Sequence, residues 1–293
     1  MSLARIAPGV FQIDTLLGGW ERVTAGYLVE GPPPILVETG SQSSVPALLA
    51  ALREHGVGPD GLAGVVVTHI HLDHAGGVGD VAAAFPEATV YVHPLGARHL
   101  ADPTRLVDSA GRVYGELLDS LYGRLTPTAA ERIVALDDGD GVGTLTAVHS
   151  PGHAKHHLAL HDEGSGLLFV GDAVGVRLPD VGVLRPATPP PDFDLDQALS
   201  SLRRFDERRP SALALAHYGV VPDAPSDALA EAADALREWA DVAERAWRAG
   251  GDVEAALAAR YGASHERVEI LNGIHSNAAG LRRWLEHRPP TGP

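Results

Sequence analysis

The stretch Val65-Val66-Val67-Thr68-His69-Ile70-His71-Leu72-Asp73-His74-Ala75-Gly76-Gly77 sets a short apolar run directly before four side chains of metal-ligating type. Val65 to Thr68 predicts a fully buried strand. His69 and His71 are two apart, so on an extended backbone both point the same way. Asp73 and His74 follow where the chain turns into a helix predicted over 75–85, and face a second point. Four such residues in six positions can therefore serve two neighbouring ions. Gly76-Gly77 permits the tight backbone that a helix start beside a metal needs.

Working outward, three more candidates stand in the same relation to a strand. His153 follows the apolar run 145–149 in Ser150-Pro151-Gly152-His153; Asp172 follows 167–170 in Gly171-Asp172; His217 follows 213–216. Open α/β sheets place their sites at strand C-terminal ends. The chain has 15 His, and a lone His is commonly a surface or core residue. The repeated placement at strand ends is what singles these out.

Thr-His-Ile-His-Leu-Asp-His-Ala-Gly-Gly matches the H-x-H-x-D-H motif, and Pro-Gly-His, Gly-Asp and the late His match the remaining ligand motifs in order. Over roughly residues 8–220 the chain resembles the metallo-β-lactamase superfamily of metallo-hydrolases, in its glyoxalase II-like or lactonase-like branch. The resemblance implies an α/β fold, an αββα four-layer sandwich. It implies one metal on His69, His71 and His153 and a second on Asp73, His74 and His217, with Asp172 bridging them. His157 stands where related thioesterases and lactonases also carry His, and is a candidate to orient a ligand. Tyr218, beside His217, is a candidate donor to a substrate oxygen, with packing the alternative. His93 and His156 read as structural or exposed, and His275 reaches the site only if the C-terminal part folds back. Glu38 stands where relatives commonly have Asp before Thr-Gly, which alters hydrogen bonding there without touching a ligand.

Composition bounds the function. There is no cysteine among the 293 residues, so thiolate metal sites and disulfides are excluded and any metal sits on nitrogen and oxygen. The formal charge of −15 disfavours nucleic acid. No apolar run reaches the roughly 20 residues of a membrane span, and no secretory-type stretch opens the chain. The reading is a cytoplasmic protein with a small-molecule substrate, no nucleic-acid or membrane partner, and room for a homodimer.

Short β-rich runs at 10–13, 27–29, 35–37 and 90–92 alternate with helices predicted at 44–55 (Ser43 or Ser44 as N-cap) and 75–85. Leu106, Val107, Ala110, Val113, Tyr114, Leu117, Leu118 and Leu121 recur at helical spacing, predicting one or two amphipathic helices in 95–125. Strands resume at 133–136, 145–149, 157–161, 167–170 and 213–216, around a Pro-rich loop at 179–193 and a helix at 195–205. Beyond Ser226 the pattern is helical, with segments over 228–249, 252–261, 264–272 and 277–287. The division is a catalytic domain at 1–225 and a helical extension at 226–293.

Two divalent ions roughly 3.5–4 Å apart can share a hydroxide and polarise a substrate oxygen. The expected activity is therefore cleavage of an ester, thioester or lactone by a metal-bound hydroxide, with Asp73 the catalytic proton acceptor as well as a ligand. Zinc suits the ligands best; iron and manganese also fit. The alternatives are an iron-dependent dioxygenase acting on a sulfur substrate, and a phosphodiesterase. Glutathione-thioester hydrolases carry His-Glu-Tyr-Thr around the last His, and Ala216-His217-Tyr218-Gly219 departs from it. The Leu, Ala, Val, Tyr and Trp of 95–125 and of the extension suit an apolar acyl group, or only packing.

Overall fold

The computed structural model describes residues 3–262 and 265–288. Strands β1 (Ala4–Ala7), β2 (Val10–Asp14), β3 (Ala25–Val29), β4 (Ile35–Val37), β5 (Gly64–Val66), β6 (Thr89–Val92) and β7 (Ile133–Ala135) form one seven-stranded sheet in sequence order. It is antiparallel from β1 to β4 and parallel from β4 to β7. The second sheet has six strands in the order β13-β12-β11-β10-β9-β8. Its members are β8 (Gly141–Val142), β9 (Leu145–His149), β10 (Leu158–Asp162), β11 (Leu167–Gly171), β12 (Ala212–Leu215) and β13 (Gly219–Val220).

Alternation along the strands builds two cores per sheet. Tyr27, Val29, Val37 and Val66 of the first sheet meet Ala147, Leu158, Leu160, Phe169 and Ala214 of the second. The opposite faces bury under helices. Leu28, Leu36 and Val65 pack against Leu48 and Leu52 of α1 (Val45–Glu54) and Val81 beside Phe85 in and after α3 (Val78–Ala84). Val148, Leu168, Val170 and Leu213 pack against α6 (Leu195–Glu207) and α7 (Pro225–Arg248). The αββα order is thus present, and α7, α8 (Val253–Tyr261) and α10 (Ile274–His287) share one cluster with the second sheet.

Some boundaries differ from the periodicity. The helix expected over 75–85 is two helices, α2 (Leu72–Ala75) and α3, separated at Gly76-Gly77. Helix α1 follows a 3₁₀ turn at Gln42–Ser44 and has no side-chain N-cap; the Ser43 hydroxyl instead donates to the Leu121 carbonyl. Segment 95–125 holds α4 (Pro94–Ala101), α5 (Thr104–Tyr114) and a π turn at Leu118–Tyr122. The last helix begins at Ile274, ahead of the expected 277, and α9 is Glu266–Asn272. No strand lies beyond residue 226 among the described residues, and no helix there is long and apolar enough to cross a membrane.

Candidate metal centre

Strands β9, β11 and β12 run the same way, because β9 and β11 each pair antiparallel with β10 and β11 pairs parallel with β12. The loops after their C-terminal ends carry His153, Asp172 and His217 to one edge of the second sheet. The turn after β5 brings His69, His71, Asp73 and His74 to the same end of the first sheet. Two backbone hydrogen bonds join the sheets there: Leu158 N–H to the Thr68 carbonyl at 2.8 Å and Ala25 N–H to the Ala216 carbonyl at 2.8 Å.

All seven candidate side chains converge. His69 Nε2 lies 2.9 Å from His71 Nδ1, and His153 Nε2 lies 3.1 Å from the same atom. Nitrogens about 2.0–2.1 Å from a tetrahedral ion stand about 3.3 Å apart, so this triad has nearly the edge length of a metal site. On the other side His217 Nε2 is 3.3 Å from Asp73 Oδ2, and His74 Nε2 is 3.8 Å from the same oxygen. Asp172 stands between the triads: Oδ1 is 3.3 Å from His74 Nε2 and 3.5 Å from His217 Nε2, and Oδ2 is 3.6 Å from His153 Nε2. His69, His71 and His153 form one group that could hold an ion; Asp73, His74 and His217 form another.

The surroundings fit cations at these points. Both ring nitrogens of His74 and Oδ1 of Asp172 are buried without a hydrogen-bond partner. Buried polar atoms seldom stay unpaired, and a cation facing them satisfies His74 Nε2 and Asp172 Oδ1. The outward nitrogens are engaged instead: His153 Nδ1 donates to the Ala187 carbonyl at 3.0 Å and His217 Nδ1 to the Val23 carbonyl at 3.0 Å. His69 Nδ1 is 3.0 Å from the Thr68 hydroxyl. Such bonds fix the tautomer and leave the inward lone pair free.

The two halves differ electrostatically. Burial first, then neighbouring imidazoles, hold His69 well below its usual value and His71 down to about 3, so both are neutral donors. Burial also opposes charge on His74 and His217, but Asp172 and Asp73 outweigh it and raise both. Burial likewise opposes the Asp73 carboxylate, yet His74 and His217 pull it down to about 2.

Other candidates divide. His157 is fully buried, its Nδ1 2.8 Å from the Ser150 hydroxyl, and its Nε2 accepts from Asp172 N–H at 3.3 Å. It braces the backbone that carries Asp172. Gly171 between them has φ +48°, and an added Cβ would lie 2.6 Å from both His157 Nε2 and Thr68 Oγ1. Tyr218 is half-buried at the edge of the inter-sheet core, and burial, opposed in part by a hydrogen bond with Gln12, raises its phenol; the structure does not bring it together with the seven. His275 is exposed and pairs with Glu254 at 2.9 Å. His93 stacks on His149 with ring centroids 4.6 Å apart. His156, read as structural or exposed, is buried: its ring lies 6.2 Å from those of His69 and His71, and its Nδ1 is unpartnered.

Sequence reasoning misses two contributors and misjudges a third. Glu38, expected to leave the ligands untouched, accepts through Oε1 from Thr68 N–H at 3.2 Å and lies 3.7 Å from His74 Nδ1, so the longer side chain approaches a ligand ring. Loop 185–188 presents the Ala187 carbonyl to His153, and helices α9 and α10 hold that loop. Asn277 Oδ1 accepts from Thr188 N–H at 2.6 Å, Asn272 Nδ2 donates to the Pro186 carbonyl at 3.0 Å, and Arg185 pairs with Glu269 at 2.7 Å. Polar Asn in an otherwise apolar helical pattern is the one signal that could have marked this contact. Leu17, Val23, Ile70, Leu72, Leu118, Leu121 and Tyr122 then form one apolar cluster beside the centre. A cleft of about 630 Å³ lies elsewhere, lined by Asp194, Gln197, Ala240, Trp284 and Arg288 among others, and contains none of the seven.

The metallo-beta-lactamase superfamily model matches residues 18–217, ending on the last of the seven side chains. The chain belongs to the metallo-beta-lactamase superfamily. It is 28% identical over 164 residues to a metallo-beta-lactamase fold-containing protein of Sulfurisphaera tokodaii, covering 54% of this chain and 60% of that one. It is 31% identical over 144 residues to a hydroxyacylglutathione hydrolase of Aeromonas hydrophila, covering 48% of this chain and 42% of that one. The chain thus spans less than two thirds of these relatives. A metallo-beta-lactamase family protein of Thermus thermophilus has the same fold, with a TM-score of 0.70 at 20% identity, covering 96% of this chain and 94% of that one.

Proposed function

We propose that the chain hydrolyses a carboxylic ester, thioester or lactone at a centre where His69, His71 and His153 would hold one divalent ion and Asp73, His74 and His217 a second, with Asp172 placed to serve both. The observation that carries this reading is the pair of facing triads that share one buried carboxylate, with orphaned lone pairs aimed between them. Bound metal supplies Lewis acidity that brings the pKa of water from 15.7 to about 7. The chain's own residues do the rest. Asp73, whose side chain is 15% exposed, is the most accessible carboxylate of the centre and accepts the proton of the attacking water. His157, Glu38 and the carbonyls of Val23 and Ala187 keep the ligands in register. The adjoining apolar cluster excludes water and favours an apolar acyl group over a phosphodiester. Zinc is the proposed metal, since imidazole nitrogens with Asp oxygens are its usual donors in catalytic sites. A relative that is a hydroxyacylglutathione hydrolase supports acyl transfer to water as the reaction class.

The test is turnover of aryl esters, acyl thioesters, lactones and bis-aryl phosphates, with metal content and oxygen uptake measured on the same preparation. Acyl substrates should be cleaved, and Asp73→Asn should lower kcat/KM by about a hundredfold or more. Turnover that survives both chelation and Asp73→Asn, or oxygen uptake without acyl hydrolysis, would defeat this reading.

A further inference from the structure

The segment His149-Ser150-Pro151-Gly152 leads into His153, and helix α6 takes up its backbone. Ser201 Oγ donates to the Pro151 carbonyl at 2.7 Å. Asp194, the N-cap residue of α6, donates its N–H to the Gly152 carbonyl at 2.9 Å. Arg204 donates to the His149 carbonyl, and its Nη2 reaches both oxygens of Asp138 at 2.7 and 2.8 Å. Asp138 Oδ1 in turn accepts from His149 N–H at 2.8 Å. The N–H and the carbonyl of His149 are thus held by the two members of one ion pair.

Helix and loop meet without side chains between them. Gly152 has φ +139°, and an added Cβ would lie 2.3 Å from Ala198 Cα and 2.4 Å from Ala198 N. Asp194, Ala198, Ser201 and Arg204 recur every three or four residues, so one stripe of α6 faces the loop. This placement matters for the ligand. The Ala187 carbonyl turns the His153 ring, but the backbone sets how far it reaches: Nε2 lies 3.1 Å from His71 Nδ1 and 3.6 Å from Asp172 Oδ2. Metal–ligand distances hold to about 0.2 Å, so a small drift of residues 149–152 takes His153 out of range.

We propose that α6 is the cradle of the three-imidazole group, with Ser201 and Arg204 as positioning residues that set His153 for metal. The inference rests on the metal-ligand reading above. Both side chains act through the backbone that precedes His153. Their loss loosens one group of ligands and spares the other, because Asp73, His74 and His217 come from the turns after β5 and β12.

The test compares wild type with Ser201→Ala, Arg204→Met, Leu199→Ala and His153→Ala. Chelator competition reads the affinity of each zinc equivalent, visible spectra of the cobalt(II) form report ligand geometry, and amide exchange of the metal-free protein reports the loop. Leu199→Ala is the control, because it trims an apolar side chain that packs α6 on the helical cluster. Ser201→Ala and Arg204→Met should each weaken, by about tenfold, the zinc equivalent that His153→Ala abolishes. Both should also change the cobalt spectrum and speed amide exchange at Gly152 and His153, with the other equivalent unchanged. Leu199→Ala should melt earlier and keep both equivalents. If His153→Ala abolishes one equivalent while Ser201→Ala and Arg204→Met leave both intact, the proposal fails and the metal reading stands. An equal loss of affinity in Leu199→Ala overturns the proposal too, since general loosening then explains it. If His153→Ala itself leaves both equivalents intact, the metal reading fails and takes the proposal with it.

Discussion

At the residue scale, charge is arranged unequally across the candidate centre, and the asymmetry has a measurable consequence. His69 and His71 are held neutral, while His74 and His217 are raised by Asp172 and Asp73. A folded value raised above the ordinary 6.5 favours the protonated ring in the metal-free protein. A metal needs the lone pair, so that proton must leave. Filling the group around His69, His71 and His153 should release almost no protons at pH 7, and filling the group around Asp73, His74 and His217 should release them. Affinity of the latter group should therefore climb as pH rises above 7, while that of the three-imidazole group stays flat. Zinc titration calorimetry of metal-free protein in buffers of different ionisation enthalpy measures this directly. Equal buffer dependence for both equivalents would show the assigned asymmetry to be wrong.

At the element scale, ligand geometry depends on helices far away in the chain. Helix α10 places Asn277, fully buried, against Thr188; the next residue back, Ala187, fixes His153. Gly280 of the same helix lets the loop approach: an added Cβ would lie 1.9 Å from the Thr188 carbonyl oxygen. Asn277→Ala leaves the Thr188 amide without its acceptor, at a cost of about 1–3 kcal/mol, while the Thr188 hydroxyl keeps the Asn277 backbone carbonyl at 3.2 Å. That variant should melt earlier and bind zinc about tenfold more weakly, the usual scale for loss of an outer hydrogen bond to a ligand. Competition with a chromophoric chelator reads the affinity. An unchanged zinc affinity despite a lower melting temperature would mean that the loop holds His153 without α10.

At the scale of the whole molecule, helices α7, α8 and α10 lie on the outer face of the second sheet. Leu229, Leu236, Trp239, Leu257, Leu281 and Leu285 are buried in one cluster with Leu168, Val170 and Leu213. At about 1.5–3 kcal/mol for each large buried side chain, those six rival the roughly 5–15 kcal/mol that holds a domain folded. Residues 1–225 expressed alone should aggregate or bind hydrophobic dye, and recover if 226–293 is supplied. A fragment that melts cooperatively near the temperature of the full chain would show that the extension is dispensable.

Much of this protein is nevertheless legible along the chain. The seven side chains and the strands before them are local signals, because an apolar run of fixed length and the ligand after it are contiguous. Their order yields the fold class through resemblance. Tertiary structure alone decides how the ligand atoms face one another, that Glu38 approaches His74 and that Ala187 steadies His153. Each of those joins residues tens to scores of positions apart, through loops such as 179–193 that have no period to read. Periodicity reports which face of an element is buried, and only packing reports against what.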